Sequence, residues 1–172
     1  PVYFAASVQH DSHRDVLANK SLLMKLLHLS DGELSELALS VGFDFEDSSK
    51  SWHWIIIPAL IRQMSARSED QCRVLEIGTF DAKFTAFVVS RFNCDMHTVD
   101  LPDDAEQFIN SYSRSAPTDR MRFISSRNER LRESGANFYQ FDSVDLLDRF
   151  DKHSFDIVWI DGDHLAPQVQ FD

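Results

Sequence analysis

Cysteine, positive charge and long apolar runs are all scarce in this chain, and each shortage removes a class of explanation. Only Cys72 and Cys94 occur among 172 residues, without Cys-x-x-Cys spacing. No disulfide framework is available, and a reducing cytoplasm is the simplest setting, with both thiols expected as buried residues flanking strands. Lys and Arg number 17 against 28 Asp and Glu, a formal net charge of -11, so the surface repels nucleic acids and anionic membranes. The one basic cluster, RMRFISSRNERLR (120–132), contains Glu129 and reads as a solvated helix face. Nothing approaches the ~20 apolar residues needed to span a bilayer. The opening PVYFAASVQHDSH lacks a charged segment followed by an apolar one, so a non-exported, cytoplasmic protein is expected.

What is present is enough for one good core: 43% hydrophobic and 12% aromatic residues. SLLMKLLHL (21–29) is a short helix candidate. In SDGELSELALSVGF (30–43), Ser30 and Glu33 have capping-box spacing, Leu34, Leu37, Ala38 and Val41 follow the helical period, and Gly42 stands where a terminating glycine belongs. Residues 1–50 are therefore an N-terminal helical segment, with the polar stretch from Asp44 to Ser51 as a linker. WHWIIIPALIRQM (52–64) predicts a helix starting near Ile57, so that Pro58 falls in its first turn, with Trp54, Ile57, Ile61 and Met64 on one face.

From residue 72 short apolar runs alternate with amphipathic ones: RVLEI, KFTAFVVSRF, MHTVD, a long polar and helical stretch, NFYQF, SVDLLDRF and FDIVWID. Strand alternating with helix signals an α/β domain over residues 51–172, a parallel sheet with helices on both faces. Phe84, Phe87, Val88 and Phe92 give the first crossover helix its apolar face. Ligands in such sheets bind beyond the carboxyl ends of the strands. Those ends read LEIGTFDA, TVDLPDD, FYQFDS and WIDGDH, each carrying a polar residue. Singly, each is ordinary turn chemistry.

Their joint order resembles the class I S-adenosylmethionine-dependent methyltransferases, a Rossmann-like fold. VLEIGTFDA resembles the glycine-containing motif, HTVDLPDD the ribose-binding acidic motif, FYQFDSVDLL the adenine-contacting motif, and FDIVWIDGDH the strand-four motif. EIGT together with IDGDH is most similar to a small-molecule O-methyltransferase subgroup. The resemblance implies S-adenosylmethionine as cofactor, with Gly78 approaching its methionine part, Glu76 orienting the loop, and Thr79 and Phe80 continuing that loop along the cofactor. It implies Asp100 on the ribose hydroxyls, Leu101 against the adenine, and Asp142 and Ser143 on the adenine's polar edge. Ala82 departs from the pattern, which often has a second glycine there. In metal-dependent members the aspartate ending strand four binds a divalent cation and a histidine three residues later deprotonates the acceptor. Here these are Asp161, bound to a cation such as Mg2+, and His164. A cation lowers the pKa of a hydroxyl and an imidazole takes its proton.

Plainer readings stand beside these. Asp161 or Asp163 can simply cap a helix beginning near Leu165, with His164 exposed, and His97 reads as a packed strand residue. A nicotinamide dehydrogenase would need Gly-x-Gly-x-x-Gly, and Gly78 is the only glycine between residues 73 and 90. A dehalogenase-type phosphatase would need a hydroxyl residue where Leu165 stands. A methyltransferase-like binding module without catalysis is the remaining alternative. The family fold has three further strands, including the acidic residues that complete the metal site, so the chain is expected to continue past Asp172 or to be completed by a partner. The expected partner is a small-molecule acceptor, neither nucleic acid nor membrane, and a homo-oligomer stays open. Substrate choice falls to residues 1–50, the polar insertion 102–120, which has the character of a lid, and the absent strands.

Overall fold

The computed structural model describes residues 13–45, 51–67, 69–112 and 114–161, with side chains described from Lys20 onward. These residues form two compact units that divide after Arg67, later than the linker the sequence suggested.

In the first unit, α1 (His13–Leu26), α2 (Asp31–Val41) and α3 (His53–Ser65) supply the helical segment. The Ser30 side chain accepts from the Glu33 N–H while Glu33 accepts from the Ser30 N–H at 2.7 Å, closing the expected capping box. Leu34, Leu37, Ala38 and Val41 are buried, and Gly42 ends the helix at φ 63°. Helix α3 begins four residues before the expected start, leaving Pro58 well inside it. Proline there removes the hydrogen bond to the Trp54 carbonyl. Burial of Ile55, Ile57, Pro58, Ala59 and Ile61 around more than half of the helix offsets that loss, whereas Trp54 and Met64 are only half-buried.

The second unit is a four-stranded, wholly parallel sheet in the order β3-β2-β1-β4, formed by β1 (Cys72–Ile77), β2 (Cys94–Asp100), β3 (Asn137–Gln140) and β4 (Ile157–Ile160). All four strands fall where the apolar runs predicted them. Helix α4 (Lys83–Arg91) joins β1 to β2. A short α5 (Glu106–Asn110) and the long α6 (Pro117–Ser134) join β2 to β3, and a 3-10 turn (Ser143–Asp145) with α7 (Leu146–Arg149) leads to β4. Burial of Phe84, Thr85 and Val88 gives α4 its inner face, while Phe87 and Phe92 are half-buried. On the opposite face Leu75, Ile77, Val99 and Phe141 form a core covered by Tyr139, Leu146, Phe150, Phe155 and Ile160. Helices thus lie on both faces, as in a Rossmann-like α/β fold.

Strand alternation decides what each face carries. Cys72 and Cys94 pair in register at the start of β1 and β2, both buried, and burial pushes their thiols up to about 12 and about 11. His97 lies on the aromatic face. Its ring nitrogens meet Asp95 at 3.0 Å and the Tyr139 hydroxyl at 3.1 Å, and its ring packs edge-on against Phe150 and Phe155. It is a satisfied core histidine, as its alternation suggested. Among the described strands β4 pairs on one side only, and Val158 is exposed.

Candidate functional site

A sheet whose strand order runs outward through β2 and β3 and then returns to place β4 on the other side of β1 has its reversal between β1 and β4. Connections there leave on opposite faces and open a crevice at the carboxyl ends. The loop after β1 lies at this point. The Asp161 N–H donates to the Ile77 carbonyl at 2.7 Å and the Gly78 N–H to the Val99 carbonyl at 2.8 Å, so both neighbouring strands hold the start of the loop. Gly78 has φ 102°, Phe80 47° and Ala82 60°. Three left-handed residues in five coil the chain tightly into α4. Ala82, where the resemblance expects glycine, takes a backbone conformation that suits glycine, at about 1 kcal/mol of strain. Its methyl is fully buried, and burying such a group contributes about 0.8 kcal/mol, which offsets most of it.

Asp100 ends β2 beside this loop. One carboxylate oxygen accepts the Phe80 N–H at 3.0 Å and the other the Leu101 N–H at 2.8 Å. Burial raises its pKa above the usual aspartate value, opposed by the Leu101 amide, the Arg127 and Arg114 charges and the Phe80 amide. Leu101 is half-buried and Phe80 is 45% exposed.

Beneath the loop runs a buried polar chain. Thr98 and Thr85 both donate to Oε2 of Glu76, at 2.7 and 2.5 Å. A 2.6 Å hydroxyl–hydroxyl hydrogen bond between Thr98 and Thr79 continues the chain. Glu76 is 1% exposed and Thr79 3% exposed. Their side chains therefore face the interior. Burial pushes the Glu76 carboxyl up to about 8; the two threonine hydroxyls pull it down, and Asp161 and Asp100 add repulsion. At neutral pH Glu76 is mostly protonated, a hydrogen-bonded neutral acid under the crevice floor.

At the neighbouring strand end, the Phe141 N–H donates to the Asp100 carbonyl at 3.0 Å. Exposed Asp142 caps the 3-10 turn by accepting the Val144 N–H at 3.2 Å, and Ser143 begins that turn. Asp161 stands at the end of β4, close enough to Glu76 for electrostatic repulsion. Asp163 and His164 lie outside the described residues. Among the described residues no three His, Cys, Asp or Glu side chains are arranged to hold a metal ion. The strand ends thus gather Gly78, Thr79, Phe80, Asp100 and Leu101, with Glu76 below and Asp161 beside them.

Sequence reasoning passed over Thr85 and Thr98, although Thr98 stands opposite Glu76 in the β1–β2 register. It also passed over two arginines. Arg127 lies in the basic cluster expected on a solvated face, yet it is 0% exposed and grips Asp103 through two hydrogen bonds of 2.8 and 3.0 Å. Arg114, in the insertion expected as a polar lid, is 6% exposed, and Phe108 nearby is fully buried. The insertion is packed down at these two points. Comparisons with protein-family models, with curated proteins and with solved structures find no match.

Proposed function

We propose that this protein is an S-adenosylmethionine-dependent methyltransferase acting on the hydroxyl of a small molecule. The observation that carries the reading is Asp100, a carboxylate at the tip of β2 clasping the left-handed loop after β1. Each of its oxygens takes one backbone N–H, and a carboxylate has lone pairs left over. Those can accept the two hydroxyls of a ribose. The cofactor, when bound, supplies a methyl group activated on a cationic sulfonium. Asp100 and Asp161, on either side of β1, favour a cation over its neutral demethylated product.

The described residues do not assemble a metal site by themselves, so no step is assigned to a metal. Asp161 is the described residue a cation such as Mg2+ would use, and His164 is the base of the proposal. The acceptor is a small molecule; the net charge of -11 disfavours nucleic acid. Among the described residues no helix is long and apolar enough to cross a membrane.

Calorimetric titration with S-adenosylmethionine and S-adenosylhomocysteine, with and without magnesium, on wild type and Asp100→Ala tests the proposal. Saturable binding that the variant weakens at least ten-fold supports it. Absence of binding by the folded wild-type protein rules out both the enzyme and a cofactor-binding module.

A further inference from the structure

Arg114 differs from every other buried charge in the second unit. Arg127 has Asp103 as a bidentate partner and Asn128 as a further acceptor. Arg114 is nearly as buried, at 6% exposure, yet among the described residues only two of its N–H donors are used, on the backbone carbonyl and the hydroxyl of Ser111. Among the described residues no carboxylate stands within ion-pair distance of it. Asp100 and Asp103 attract it only from farther away, while burial lowers its pKa. Its guanidinium carbon lies 3.9 Å from the ring centre of Phe108, 4.9 Å from Phe123 and 5.5 Å from Tyr112. Aromatic faces attract a cation but leave its N–H donors without acceptors.

Of two exposed aromatic rings here, Tyr112 adjoins the cation and Phe80 packs against Tyr112 and Phe123. Phe80 is 45% exposed and Tyr112 71% exposed, with ring centres 5.0 Å apart at an interplanar angle of 60°. Both have left-handed backbones, at φ 47° and 49°. Such conformations are unfavourable for aromatic residues, and strain of this kind collects at ligand sites. Burial of the Tyr112 ring offers little compensation. Exposed aromatics, strained backbone and a cation without a close counter-ion thus coincide where the β1 loop meets the insertion.

We propose that Arg114, Phe80 and Tyr112 form a binding site for a small planar molecule bearing an oxyanion. The ring lies against the two aromatics, and the carboxylate or phosphate takes the unused N–H donors of Arg114 in the bidentate manner suited to guanidinium. Binding here does not depend on the methyltransferase reading.

The test is a titration of the full-length protein, without added cofactor, followed by calorimetry and ligand-observed NMR. The probes are 4-hydroxybenzoate, phenyl phosphate and neutral benzyl alcohol. At least one anion is expected to bind saturably and at least ten-fold more tightly than benzyl alcohol, and the better anion identifies the oxyanion. Arg114→Gln is expected to weaken that binding at least ten-fold, Arg114→Lys less, and Tyr112→Ser at least three-fold. Failure of both anions to bind overturns the proposal, as does unchanged affinity in a folded Arg114→Gln protein. Should that variant not fold, Tyr112→Ser, whose ring is mostly exposed, decides: unchanged affinity overturns the proposal. Omitting the cofactor keeps a failure here separate from failure of the cofactor reading.

Discussion

Replacing Glu76 by glutamine isolates the energetic consequence of a buried acid. The Glu76 carboxyl has a folded-state pKa of about 8 against an ordinary value of 4.5, chiefly because it is buried. Between those values the folded protein keeps the proton and the unfolded chain releases it. Raising the pH through this window therefore draws the equilibrium toward unfolding. Each pH unit costs about 1.4 kcal/mol, so Glu76 removes roughly 3 kcal/mol of stability between pH 5 and 7.5, and the loss levels off above the folded pKa. Glutamine cannot ionise, and its amide oxygen can still accept from Thr85 and Thr98. Urea unfolding followed by far-UV circular dichroism, from pH 5 to 9 on both proteins, gives the difference directly and cancels the other titrating groups. Wild type should lose stability relative to Glu76→Gln at that slope as the pH rises. A difference that stays constant, or shifts in favour of wild type, refutes a neutral buried Glu76.

Three further substitutions probe the framework. Ala82→Gly relieves the left-handed strain but removes a buried methyl, so stability should change by less than about 0.5 kcal/mol, whereas Ala82→Val should cost more than about 2 kcal/mol in urea unfolding. Arg127→Met strands Asp103 and should cost about 3 kcal/mol, with much of it recovered in the Arg127→Met, Asp103→Leu double variant; the same assay measures both. Ser30→Ala removes the capping box of α2 and should cost about 1 kcal/mol, read as a lower urea midpoint for the helical unit.

Local rules made much of the architecture legible. The capping box at Ser30 and Glu33 and the glycine at 42 depend on atoms a few residues apart, and the alternation of strand and helix depends on periodicity. The local penalty of Pro58 alone places the start of α3 too late, near Ile57. Burial of the isoleucines around it carried the helix back to His53. At the candidate site, Asp100 and Gly78 were legible because each sits where a strand run ends. The side-chain directions of Glu76 and Thr79 were not, because they follow from Thr85 and Thr98, which approach only once α4 and β2 pack on β1.

The arginines mark the boundary between the two kinds of information. Arg127 and Arg114 look alike in sequence, charged residues in polar stretches, and composition would place both in water. Only packing decided that both are buried, that Asp103, 24 residues away, neutralises one, and that aromatic rings surround the other. The positions of the strands, and the polar residues that stand at their ends, could be read from neighbouring residues alone. These follow from short-range periodicity and turn chemistry. The tertiary structure alone decided which charges lose water and which partners they meet. Desolvation depends on everything that closes around a group, and that is not written in its neighbours along the chain.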